Sequence, residues 1–201
     1  MNLKANSYKL RQDILDIVYH AKGGHIGGDM SVIDTLNVLY NKQMNVTPEN
    51  FHDPDHDRFI LSKGHTVEAL YAVLCQKGFF PREDLKTVSQ YLSKYIGHPN
   101  NKVNGIEMNS GSLGHGLSVA IGMALAGKMD KRDYRVYVVM GDGELAEVAL
   151  CTRLPPLAQV KVQRCFQRVQ LTGFRAVIQA FLNAVDTMRR TESQQGVHLL
   201  C

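Results

Sequence analysis

Two short apolar runs, each followed at once by glycine, constrain this chain more than any other feature. Arg58-Phe59-Ile60-Leu61-Ser62 leads into Lys63-Gly64-His65, and Arg135-Val136-Tyr137-Val138-Val139-Met140 leads into Gly141-Asp142-Gly143-Glu144. A strand that is apolar on both faces is buried between layers, the usual situation in parallel sheets. Parallel neighbours need a long crossover, and helical sequence lies between the runs. Upstream, residues 5–21 place Leu10, Ile14, Ile17 and Val18 on one helical face, and residues 30–42 do the same with Val32, Ile33, Leu36, Leu39 and Tyr40. A helix over 66–77 follows the first run and stops at Gly78, and Pro81 opens a short one. Residues 113–127 (LGHGLSVAIGMALAG) read as a buried helix rich in small residues. The expected fold class is α/β, a parallel sheet with helices on both faces.

The chemistry-bearing residues gather where such a sheet binds ligands. Gly141-Asp142-Gly143 closes a buried strand at the carboxyl edge. Glycine lets backbone N–H groups approach a phosphate, and a carboxylate there suits a hard divalent cation such as Mg²⁺. Asp-Gly is also a common tight turn, so these residues alone leave both readings open. Four of the eight histidines stand beside glycine: His25 in GGHIGG, His65 in SKGH, His98 in IGHP and His115 in GSLGHG. Imidazoles bond phosphate and hydroxyl oxygens, and adjacent glycine leaves room for a ligand. Their scatter, without a cysteine pair, does not suit zinc.

Taken in order, GGHIGG (23–28), DRFILSKGH (57–65), IGHP (96–99), GSLGHGLSVAIGMA (111–124) and VVMGDGELAE (138–147) resemble the N-terminal section of transketolases, of the kind split into two subunits. The resemblance implies a thiamine diphosphate-binding domain that transfers a two-carbon ketol unit between sugar phosphates, as in the pentose phosphate pathway. It implies Asp142 as a Mg²⁺ ligand, with Gly143 and His65 against the diphosphate. Gly111, Ser112 and Leu113 match the loop touching the aminopyrimidine ring, with Ser112 where many relatives have proline. His25 and His98 match positions facing the sugar. The partner implied is a C-terminal subunit carrying the pyrimidine-binding domain and its activating carboxylate, in a family that forms dimers.

The resemblance stops at Glu147. Before that point Lys outnumbers Arg 11 to 5 and net charge is −1; after it there are 6 Arg and 1 Lys, and net charge is +5. Gly falls from 15 to 2 while Gln rises from 4 to 7, and three of the four cysteines (Cys151, Cys165, Cys201) lie in the last part. Without a secretory signal, all four read as free thiols. The family's EGxxxEAA continuation is replaced by EVALCTRLPP, and RVQLTG (168–173) stands where an Asn metal ligand is implied. Restoring one G before codon 148 permits, after Glu147, Gly, two small or polar residues, Val/Leu/Met, Tyr/His, Glu/Gln/Lys and Ala/Thr, one residue longer than the family spacing. An altered reading frame or another abnormal junction is the expected origin of the tail, with a diverged natural tail as the alternative. The expectation is a truncated parallel-sheet domain over 1–147 and an atypical helical or disordered tail over 148–201, with one amphipathic helix at 174–190. Such a chain is incomplete and inactive alone, and binds thiamine diphosphate and Mg²⁺ weakly.

Other classes are narrowed by composition. No apolar stretch approaches the roughly 20 residues that span a bilayer, and the N-terminus lacks a signal core, so the expected address is cytoplasmic and no membrane is engaged. Nucleic acid is not expected, because the basic tail spaces its apolar residues as a core helix does. Two alternatives stay open: a non-catalytic interaction protein using the retained dimer surface, and a fragment similar to 1-deoxyxylulose-5-phosphate synthase.

Overall fold

The computed structural model describes residues 1–146 and 197–200. Helix α1 (Leu3–Ala21) begins where the Asn2 side chain accepts the Ala5 amide, and ends as Lys22 turns left-handed. Helix α2 (Ile26–Val38) runs on through a π-helical turn, Leu39–Gln43. Strand β1 (Arg58–Leu61) passes through a 3-10 turn, Gly64–Thr66, into α3 (Val67–Gln76). A short 3-10 helix (Arg82–Thr87) follows Pro81, which caps it instead of entering its first turn. Helix α4 (His115–Met129) returns the chain to β2 (Val136–Val139), which ends in the turn Gly143–Ala146. No helix among the described residues is long and apolar enough to cross a membrane.

β1 and β2 are parallel, with Arg58 opposite Val136 and Leu61 opposite Val139. A third strand, β3 (Val197–Leu200), pairs parallel with the other edge of β2. Sequence reading assigned no strand there, since four residues are too few to show a period. The amphipathic helix expected at 174–190 and the segment 168–173 lie outside the described residues.

Strand side chains alternate between two cores, as the pleat demands. Phe59, Leu61, Tyr137 and Val139 join Leu10, Ile14, Ile17, Val32, Ile33 and Leu36 from α1 and α2, with most of α3. Ile60, Val136, Val138 and Met140 meet Leu117 and Ala120 of α4 on the other face. Helices therefore cover both faces, which is why the two runs read as continuously apolar. Burying each such large aliphatic side chain contributes roughly 1.5–3 kcal/mol. The expectation of a buried helix holds for one side of α4. Gly116, Leu117, Ala120 and Gly127 are buried, whereas Leu125 and Met129 are exposed among the described residues.

Amides lock the three helices of the first core. Asn6 donates to Asn37 Oδ1 (2.7 Å) and Gln76 Oε1 (2.8 Å), and Asn37 donates to Ser7 Oγ and the Leu3 carbonyl, both at 2.8 Å. Buried amides are tolerated because each finds partners. On the second face, α4 approaches the end of β1 closely. A Cβ on Gly116 would lie 2.5 Å from Ser62 Oγ and 2.9 Å from Ser62 Cα. Gly116→Ala is expected to push α4 off the strand end and lower stability by about 1–3 kcal/mol, read as a lower urea midpoint. An unchanged midpoint would show that this contact yields without cost.

Candidate functional site

Both strands deliver their glycine turns to one edge of the sheet. Ser62, just past β1, is fully buried, and so is Met140 past β2. Between them lies Glu144, 2% exposed. Its Oε1 accepts the Ser62 hydroxyl and the Gly114 amide (2.8 Å), and its Oε2 accepts the Gly141 amide (3.0 Å). One carboxylate thus ties the end of β1, the turn after β2 and the start of α4. Gly114 is the N-cap of α4, in left-handed backbone, so the negative charge also sits where the helix dipole favours it. Sequence reading gave Glu144 no role; only its place two residues past Asp142 marked it.

The histidines converge on the same edge. His25 is the N-cap residue of α2 and exposed, and His65 is half-buried just before α3. Their rings meet edge to face, with centroids 5.0 Å apart. Burial, then the nearby His25, Lys63 and His98, holds the His65 imidazole below its ordinary value, with Glu144 opposing. The neutral ring is therefore favoured, leaving one N–H donor and one acceptor.

His98 is exposed and stacks over the backbone of Gly111, where an added Cβ would lie 3.0 Å from His98 Cδ2. Gly111 also has φ +150°, so the position strongly favours glycine. Gly64 is equally crowded, since its Cβ would lie 2.8 Å from Ser110 Oγ and 3.0 Å from Gly111 N. Ser110 in turn donates its hydroxyl to the Leu61 carbonyl at 2.6 Å. Tyr71 of α3 donates to the Ile96 carbonyl at 2.8 Å and so holds the His98 loop from below. Ser112 is exposed and Leu113 half-buried, immediately before α4. The remaining glycine-flanked histidine, His115, is exposed; its amide donates to the Ser112 carbonyl.

Asp142 and Gly143 are exposed at the turn after β2. A Cβ on Gly143 or Gly27 would meet nothing within 4 Å, which leaves open room beside both backbones. Lys63 stands between the turns, its ammonium pushed down by burial and pulled back up by Asp142, Asp29 and Glu144. An edge with backbone amides, a lysine and a mainly neutral histidine suits a diphosphate. The cation is less well served: no group of three His, Cys, Asp or Glu among the described residues is placed to hold a metal. Asp142, the expected metal ligand, is exposed at this edge.

The family model described as the transketolase thiamine diphosphate binding domain matches residues 4–152. An apulose-4-phosphate transketolase subunit of Phocaeicola vulgatus is 52% identical over 145 residues, covering 72% of this chain and 52% of that protein. A 6-deoxy-6-sulfo-D-fructose transketolase subunit of Clostridium sp. is 39% identical over 148 residues, covering 73% of this chain and 54% of that protein. Among solved structures, the transketolase of Campylobacter jejuni superposes with a TM-score of 0.69 at 34% identity, over 74% of this chain and 25% of its own. The chain spans about half the length of the curated relatives it matches.

Glu144→Ala is expected to leave two amides and a hydroxyl without their acceptor. The loss should be on the order of 2 kcal/mol, again read from the urea midpoint. Wild-type stability in that variant would show that the three loops are held by other contacts.

Proposed function

The chain belongs to the transketolase family through its thiamine diphosphate-binding domain, and from that membership we propose that it is the N-terminal part of a two-subunit transketolase. The observation that carries the reading is the meeting of His25, His65, His98 and the Gly111 loop with Asp142–Gly143 on one sheet edge. His65 and the Gly143 backbone would bind the diphosphate, Gly111, Ser112 and Leu113 the aminopyrimidine ring, and Asp142 a Mg²⁺ ion. His25 and His98, exposed at the rim, would bond the hydroxyls of a sugar phosphate. When bound, thiamine diphosphate supplies the nucleophilic carbon through which a two-carbon ketol unit passes. The protein's part is binding and orientation: a largely neutral His65 donates to the diphosphate and adds no full charge, while Lys63 balances the carboxylates around it.

The activating carboxylate would come from a complementary C-terminal chain, in keeping with relatives that are themselves named as transketolase subunits. We also place the departure from family sequence at Glu147, through an altered reading frame. The nucleotide sequence across codons 140–160 tests that directly. With Asp142 as its side-chain ligand, a Mg²⁺ ion would be held through one carboxylate and would bind weakly.

Calorimetry with thiamine diphosphate and Mg²⁺ is accordingly expected to show weak or undetectable binding by this chain. Replacing residues 148–201 with a family-like continuation, including its Asn, should restore binding, and Asp142→Ala in that context should abolish it. Tight Mg²⁺-dependent binding by the unaltered chain would mean that residues 148–201 supply ligands. Ketol transfer is expected neither from this chain by itself nor from the complementary chain by itself, but from the repaired chain mixed with its complement. Failure of the mixture, with cofactor bound, would overturn the assignment.

A further inference from the structure

Helices α2 and α3 begin alike and pack against each other. Each has a histidine at or just before its start and buries a carboxylate in its first turn: His25, the N-cap of α2, with Asp29, and His65, one residue before the Thr66 N-cap of α3, with Glu68. The two rings touch at the edge of the site. Below them, Asp29 is 0% and Glu68 3% exposed. Asp29 Oδ1 accepts the amide of Ala69, the residue after Glu68, at 3.1 Å, and so caps α3, whose own Thr66 provides no side-chain cap. Asp29 Oδ2 and Glu68 Oε2 have no hydrogen-bond partner among the described residues. Glu68 Oε1 reaches back beneath the His25 loop, 3.1 Å from where a Gly24 Cβ would stand.

An ionised oxygen buried without a donor is costly, and a second buried carboxylate nearby adds repulsion, so the protonated form of Asp29 is favoured. We propose that Asp29 and Glu68 act as a pH-dependent positioning pair: Asp29, on α2, caps the start of α3 and holds the two helix starts together so that His25 and His65 stay in contact. With Asp29 protonated, the pair carries one negative charge. When that proton leaves to water, two anions repel in a site too dry to screen them, and the helix starts are driven apart.

The surrounding charges fit this account. Burial first, then Glu68, pushes Asp29 up to about 7, against the Ala69 amide and Lys63. Burial raises Glu68 as well, against its own amide and the charge of His25. Tyr71, on the next turn of α3, is raised by its own burial and then by Glu68. Among the described residues, Lys63 is the nearby cation that favours the Asp29 anion, and its own burial weakens it.

The sign of the effect follows. Between about pH 4 and pH 7 the folded chain keeps a proton that the unfolded chain has released, since Asp29 rises from 3.8 to about 7. Stability therefore declines as pH rises through that window and levels off above it. His65, held low, contributes the opposite slope, so the comparison must be made against Asp29→Asn. From about pH 5 to about pH 7, the unfolding constant of the unaltered chain should rise about tenfold or more relative to that variant. The His25–His65 ring contact, read as a proton NMR cross-peak, should fade above about pH 7 and persist in Asp29→Asn and Glu68→Gln. Should a variant fail to fold, carboxyl ¹³C titration of Asp29 in the unaltered chain decides the matter. An ordinary carboxylate midpoint, or a ring contact indifferent to pH, overturns the proposal. The inference rests on the histidine pair being the ligand-facing edge proposed above. The measurements use no cofactor or sugar, so their failure is separate from failure of the transketolase reading.

Discussion

The parallel pairing of β1 with β2 is the constraint from which the rest of the structure follows. Two strands that run the same way must end on the same edge, and the Ser62 amide donating to the Val139 carbonyl (2.9 Å) fixes that edge to the residue. A crossover through α3 and α4 is then obligatory, and it covers opposite faces of the sheet. The turns Lys63–Thr66 and Gly141–Gly143 become neighbours although Ser62 and Glu144, which bond across them, are 82 positions apart in the chain. No local propensity could bring them together.

That edge also collects charge, and its stability depends on how the charge is disposed. Glu144 is buried but fully used, with three donors and a helix start around it. Asp29 and Glu68 are buried and only partly used. Burial therefore means different things at two carboxylate sites on one side of the molecule. One is a fixed anchor; the other responds to protons. Lys63 feels both.

The matched residues belong to a thiamine diphosphate-binding domain, and the relatives extend to nearly twice the matched length. The apolar residues Leu125 and Met129 of α4 are exposed among the described residues. The change in composition after Glu147 begins where the described turn Gly143–Ala146 ends.

Sequence alone determined the two strands, the helices α1 to α4 and the apolar faces of α1 and α2, because periodicity and glycine punctuation are local signals. It also marked His25, His65, His98, Gly111, Asp142 and Gly143, because glycine beside a functional group at a strand or helix end is visible in one dimension. It missed β3, whose four residues show no period, and it overstated the burial of α4. Glu144 as anchor, the Asn6–Asn37–Gln76 amide lock and the Asp29–Glu68 pair were decided by tertiary structure. The reason is physical: whether a polar side chain is exposed, satisfied or stranded depends on partners distant in the chain, and only packing brings those partners within a hydrogen bond's reach.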